Sequence, residues 1–140
     1  MAQQEKTYIL NESFPSDQNK RKEIIDSLCH KIVKSPVRMA ITPEELYLSL
    51  DEAITNAMEH GNKWDVHKTI NVTAYADKKE IHILITDQGK GFDTREIESQ
   101  LDKRDILSSR GRGIFIINQF CQITWNKKGN QVDLHIKRRT

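Results

Sequence analysis

Apolar positions recur along the chain with two distinct periods, and the change from one to the other marks its elements. Tyr8 and Leu10 share a face of a strand candidate over Lys6–Asn11, after which Pro15 and Ser16 interrupt the pattern. Spacings of three and four among Ile24, Ile25, Leu28, Ile32 and Val33 predict a helix that Ser16 or Asp17 caps and Pro36 ends near Lys34. A second helix, Pro43–His60, has the clearest start. Thr42 stands as N-cap, Pro43 at the first helical position and Glu45 three residues after the cap, which completes a capping box. Its stripe is Leu46, Leu50, Ala53, Ile54, Ala57 and Met58, and Gly61 stands where a C-cap glycine belongs.

The period then falls to two. Ile70, Val72, Ala74 and Ala76 alternate with polar residues over Thr69–Ala76, and Ile81, Ile83 and Ile85 form one face of Glu80–Asp87, with a charged turn at Asp77, Lys78 and Lys79 between them. From Gln88 to Arg110 the pattern dissolves into glycine and charge, apart from a short helical turn around Arg95–Leu101. Gly111-Arg112-Gly113 opens an apolar helix over Ile114–Phe120, and two strands, Gln122–Asn126 and Gln131–Lys137, close the chain around a turn at Lys127–Asn130. About five strands and three helices, with hairpins in the middle and at the end, argue an α+β fold: a two-layer sandwich with helices on one face of a mainly antiparallel sheet.

With 140 residues the chain suits a single domain, 1–140. Its 22 Lys+Arg against 20 Asp+Glu leave a net charge of +2, too small a field to draw in a polyanion or an anionic membrane. The basic clusters Lys20-Arg21-Lys22, Lys127-Lys128 and Lys137-Arg138-Arg139 have no interleaved aromatics, so they read as solvated surface or as a face for an acidic protein, with no direct nucleic-acid contact. No run approaches the roughly 18 apolar residues that span a bilayer, and no apolar signal core follows Met1–Lys6. A cytoplasmic protein is expected. Cys29 and Cys121, without a C-x-x-C or a Cys/His cluster in sequence, read as free packing thiols rather than a disulfide or zinc framework.

Three groups look out of place for structure alone. Asp87 has the parity of Ile81, Ile83 and Ile85, so its carboxylate either starts a turn with Gly89 or stands on the floor of a pocket, where it would accept a hydrogen bond from a ligand amino group. Gly89 and Gly91 leave a backbone that a flat ring can approach. Glu52 and Asn56 lie within about 40° of each other on the second helix. Either they belong to a solvated face, or they pair a carboxylate for proton abstraction with an amide oxygen suited to Mg²⁺. Gly111-Arg112-Gly113 before an apolar helix offers unpaired amides to a phosphate, with Ser108, Ser109, Arg110 and Arg112 as further donors; the other reading is a solvated loop.

Taken in order, an E-x-x-x-N helix, a D-x-G-x-G strand end, an intervening loop and a G-x-G helix entry resemble the GHKL ATPase superfamily, which has the Bergerat ATP-binding fold. Leu48 to Asn62 is similar to its N box, Thr86 to Phe92 to its first glycine box and Arg110 to Ile114 to its second. The wording Glu52-Ala-x-x-Asn56-Ala-x-x-His60-Gly61 and the short lid resemble the bacterial anti-sigma factors that are serine-protein kinases. The resemblance implies Glu52 as catalytic general base, Asn56 as Mg²⁺ ligand, Asp87 as reader of the adenine amino group, and Gly89 and Gly91 as the passage for the base. It further implies that Arg110, Gly111, Arg112 and Gly113 line the phosphates and that 88–110 is the ATP lid. By the same resemblance the protein would be a homodimeric, ATP-dependent serine/threonine-protein kinase. It would bind an RNA polymerase sigma factor and phosphorylate an anti-anti-sigma (STAS-type) protein, and so regulate transcription. The closing hairpin Gly129-Asn130-Gln131-Val132 lacks the Gly-Thr of many relatives and receives no binding role. Two alternatives are a histidine-kinase-type module, for which His30 with Ser35-Pro36 is off in spacing, and a binding-only anti-sigma protein in which ATP merely fixes a conformation.

Overall fold

The computed structural model describes residues 6–91 and 109–139, with 109–111 described by their backbone alone. In chain order it has β1 (Thr7–Pro15), a 3₁₀ turn (Gln18–Lys20), α1 (Arg21–Lys34), α2 (Pro43–Asn56), a π-helical turn (Ala57–Gly61), β2 (Thr69–Ala76), β3 (Glu80–Thr86), α3 (Ser109–Asn118), β4 (Gln122–Trp125) and β5 (Gln131–Lys137). The strands form one sheet in the order β1-β2-β3-β5-β4, and every pairing is antiparallel. The α+β sandwich is as expected, with three α-helices and five strands among the described residues.

Alternation on the inner strands builds the core. Ile70, Val72, Ala74 and Ala76 of β2, Ile81, Ile83 and Ile85 of β3, and Leu134 and Ile136 of β5 are all buried, in one cluster with Ile25, Leu28 and Ile32 of α1 and Leu46, Leu50 and Ile54 of α2. Each of the valine, leucine and isoleucine side chains contributes about 1.5–3 kcal/mol by leaving water. α2 packs against α1 on one side and α3 on the other, so the helix that carries Glu52 and Asn56 is the middle one. Its capping box is present in full: Glu45 N donates to Thr42 Oγ1 (3.1 Å) and Thr42 N donates to Glu45 Oε1 (2.9 Å). Both hairpins are organised by a side-chain oxygen. Asp77 Oδ1 accepts from Lys79 N and Glu80 N, each at 2.8 Å, while Asn126 Oδ1 accepts from Gly129 N (2.8 Å), Asn130 N (3.1 Å) and Gln131 N (3.2 Å).

The structure departs from the sequence reading at several points. β1 runs on to Pro15, because an edge strand tolerates polar residues and a terminal proline. An irregularity between Tyr8 and Leu10 puts Tyr8 opposite Tyr75 on the outer face and Leu10 opposite Ala74 on the core face, so the two do not share a side. Val33, assigned to the α1 stripe, is exposed. α1 itself is preceded by a 3₁₀ turn that Asp17 caps through Asn19 N (2.9 Å), whereas Ser16 is buried and accepts from Asn62 Nδ2 (2.7 Å). The second helix leaves α geometry after Asn56 and ends as the π turn, so Gly61 is part of that turn and not a left-handed cap.

Candidate functional site

α2 presents Glu52 and Asn56 one turn apart toward the start of α3. A Cβ at Gly113 would lie 2.7 Å from Glu52 Oε2 and 3.3 Å from Asn56 Nδ2, so only a glycine lets the third helix approach these two polar groups so closely. α3 begins at Ser109, which places Gly111 and Gly113 inside its first turns rather than in a loop before it. The backbone N–H groups of that first turn lack intrahelical partners. Burial raises the pKa of Glu52, as does the neighbouring Asp51 carboxylate, while Arg112 and Arg21 oppose the rise. The guanidinium of Arg21 is held by Asp51 Oδ1 and by Thr55 Oγ1 at 3.2 Å, and Arg112 is exposed.

On the other side, β3 stops at Thr86 and the next residue, Asp87, is 8% exposed. Both sequence readings thus hold in part: the strand ends early, yet the carboxylate is buried. Asp87 Oδ1 accepts from Gly89 N (2.8 Å), its backbone N–H donates to Asn130 O (2.9 Å), and its carbonyl accepts from Asn130 Nδ2 (3.1 Å). A Cβ at Gly61 would stand 2.3 Å from Asp87 Cγ, and one at Gly89 would stand 2.2 Å from Gly61 O. Gly61 and Gly89 are therefore glycines because the π turn and the Asp87 loop touch. Gly91, at φ +80°, needs glycine for its backbone conformation, and Lys128 O lies 1.9 Å from where its Cβ would be. Fully buried Asn62 ties this corner together. Its amide donates to Thr69 O (3.0 Å) as well as to Ser16, and its Oδ1 accepts from Gln88 N (2.8 Å).

Asn56 and Asp87 line one cleft between α2, α3 and the sheet, enclosing about 440 Å³ of space, its open mouth included. Ile85, Ile114 and Trp125 contribute apolar walls, and Asn130 contributes polar atoms. A few convergent polar groups in an apolar cleft are the usual make-up of a small-molecule site. Glu52 stands beside this cleft, next to Gly113, and is not one of its walls. The hairpin over Gly129–Val132, given no role from its sequence, lines the cleft. Only the pairing of β3 with β5, which sets Thr86 opposite Gln131, brings it there, and no local motif announces it. Most of the 88–110 lid, Phe92, the turn at 95–101 and Ser108 lie outside the described residues, as do the side chains of Ser109 and Arg110.

Comparison with known proteins agrees with this fold. Residues 28–136 match the histidine kinase-like ATPase domain. The chain is 32% identical over 80 residues to an anti-sigma F factor of Shouchella clausii (56% of this chain, 55% of that protein). It is 33% identical over 82 residues to the serine-protein kinase RsbW of Bacillus cereus (54% and 50%). To the sensor histidine kinase YdfH of Bacillus subtilis it is 29% identical over 96 residues (68% of this chain, 23% of that protein). The matches thus span about half or less of those relatives' lengths. The chain belongs to the histidine kinase-like ATPase domain family. Within that family its relatives include proteins named as an anti-sigma factor and as serine-protein kinases. No helix among the described residues is long and apolar enough to cross a membrane.

Proposed function

We propose that the chain is an ATP-dependent serine/threonine-protein kinase acting as an anti-sigma factor: a single domain over 1–140, homodimeric and cytoplasmic. It would bind a sigma factor and phosphorylate an anti-anti-sigma protein. The observation that carries the reading is the convergence of Glu52 and Asn56 on the start of α3, with Asn56 lining the same cleft as a buried Asp87. The relatives' names support a sigma factor and a protein phosphorylated on serine as the partner classes.

In this reading Asp87 accepts a hydrogen bond from the exocyclic amino group of adenine, and the glycines at 89 and 91 keep side chains off the ring. The unpaired amides at the start of α3, with Arg110 and Arg112, meet the phosphates. The donor chemistry at Asn56 fits Mg²⁺, a hard ion that takes neutral amide oxygen together with phosphate oxygens. Asn56 would hold it, and the ion would neutralise charge on the phosphates. Glu52 takes the proton from the substrate hydroxyl as that oxygen bonds to the γ-phosphorus and the bond to the β-bridging oxygen breaks, releasing ADP. The rise in the Glu52 pKa increases its proton affinity, in the direction a base needs.

The test is incubation with radiolabelled ATP and candidate anti-anti-sigma domains, comparing the parent with Glu52→Gln. The variant should keep ATP affinity and lose about 10²- to 10⁴-fold in transfer rate. Equal transfer rates would remove Glu52 from the mechanism. The match to a sensor histidine kinase makes phosphohistidine the competing product. Acid treatment separates the two, since phosphoserine survives it and phosphohistidine does not. Nucleotide binding without any label on a partner would favour the binding-only reading.

A further inference from the structure

The outer face of the sheet, opposite the helices, carries a second polar cluster that the proposed reaction does not use. His82 of β3 and His135 of β5 stand directly opposite each other in register, with rings 4.7 Å apart in an edge-to-face arrangement. Tyr75 stacks on the far side of His82, also at 4.7 Å. One nitrogen of each imidazole faces the same atom: His82 Nδ1 and His135 Nε2 each lie 3.3 Å from Asp133 Oδ2. The opposite nitrogens face two other carboxylates, His82 Nε2 at 3.0 Å from Asp77 Oδ2 and His135 Nδ1 at 3.7 Å from Glu80 Oε1. Glu80, His82 and His135 each bring a ligand-type atom within 4.8 Å of the other two.

Two features distinguish this cluster from a solvated polar patch. His82 is only 8% exposed, and Asp133 Oδ1 is buried with no hydrogen-bond partner. Three carboxylates thus surround two imidazoles, an excess of negative charge that a cation would offset. Asp133 stands behind His82 as a carboxylate stands behind a metal-bound histidine, and the Thr124 hydroxyl stands behind His135. With a proton on His82 Nδ1 donated to Asp133 Oδ2 and one on His135 Nε2 donated to Thr124 Oγ1 (3.0 Å), the other nitrogen of each ring is a lone-pair donor to an ion. Those nitrogens face the side of the cluster that holds Glu80 and Asp77.

We infer that this face is a binding site for a borderline divalent transition ion, Zn²⁺ first. Its ligands are His82 Nε2, His135 Nδ1 and the Glu80 carboxylate, with Asp77 beside the site, Asp133 orienting the His82 ring and Thr124 the His135 ring. Imidazole and carboxylate are the donors such ions take from proteins, and three protein ligands leave a fourth position for water. Ligand atoms on a tetrahedral Zn²⁺ with bonds of about 2.0–2.1 Å stand about 3.3 Å apart. The partly exposed Glu80 side chain closes onto the ion to reach that spacing. A bound ion would tie β3 to β5 at the middle of the sheet. The inference stands apart from the nucleotide reading, because the site lies on the opposite face of the sheet.

The experiment is titration of the tag-free full chain with Zn²⁺ alone against a chromophoric chelator, and with Co²⁺ followed by its visible absorption. The parent should take up one ion per chain. Glu80→Gln and His135→Gln should each lose at least tenfold in affinity, while Cys29→Ser and Cys121→Ser should match the parent. Circular dichroism melting of the variants verifies that they are folded. If His135→Gln does not fold, Glu80→Gln, at the exposed rim of the cluster, carries the test. Absence of stoichiometric uptake, uptake undiminished in Glu80→Gln, or uptake lost with either cysteine would overturn the assignment.

Discussion

Replacing Gly61 by alanine probes the packing on which the nucleotide site rests. The added Cβ would meet Asp87 Cγ and Oδ2 at 2.3 Å and Oδ1 at 2.8 Å. Carbon atoms in contact sit at about 3.5–4.0 Å, so the carboxylate must retreat by more than about 1 Å. Its Oδ1 is anchored at 2.8 Å to Gly89 N. N–H···O bonds extend to only about 3.2 Å, so a displacement of that size breaks the anchor. Overpacking of this kind costs about 1–3 kcal/mol of stability. If Asp87 reads adenine, loss of that charge-assisted bond costs a further ~1.5–3 kcal/mol of binding, or about 10- to 150-fold in ATP affinity. Calorimetric titration with ATP, alongside thermal melting of the same samples, measures both effects. Asp87→Asn, which keeps the shape and removes the charge, should lose comparable affinity at little steric cost. Gly89→Ala should be worse in both respects, because its Cβ meets the backbone Gly61 O at 2.2 Å and no rotamer relieves that contact. Parental ATP affinity in Gly61→Ala and Asp87→Asn, with Gly61→Ala melting lower, would leave the packing argument standing and refute the adenine role.

Three further outcomes follow from the same geometry. Thr42→Ala removes one half of the capping box that starts α2 and should cost about 0.5–2 kcal/mol in urea unfolding, with an unchanged m-value. Asn62→Ala strands the partners of three hydrogen bonds at a fully buried position and should cost about 2–4 kcal/mol, read by the same denaturation. Arg112→Gln removes a charge that lowers the Glu52 pKa, so that pKa should rise further. A base acts deprotonated, and activity is lost as pH falls through its folded-state pKa. The acid limb of the transfer rate should accordingly move to higher pH in the variant, and a limb that stays put or moves down would contradict Glu52 as the titrating base.

What could be read from the sequence was whatever a single element dictates. The Thr42–Glu45 box, the α2 stripe and the side shared by Glu52 and Asn56 all follow from one helical period, and the structure has each of them. The inward parity of Asp87 survived even though β3 stops one residue before it, because parity outlasts the ladder by a residue. What failed depends on two elements meeting. Gly61 has the position of a helix cap, but it is a glycine because Asp87, distant in sequence, fills the space beside it. Gly113 looks like a loop glycine before an apolar run, yet it is helical and small because α3 lies against Glu52. The turn at Gly129–Val132 reaches the cleft, and His82 reaches His135, only through the register of β3 on β5. A slip of one residue in that register would turn every β5 side chain to the other face. It would carry Leu134 out of the core and move Asp133 and His135 off the outer face together. The burial of Leu134 and Ile136 therefore fixes both the hairpin lining the cleft and the cluster on the opposite face, so a core substitution that loosened this pairing should disturb two sites that share no residue.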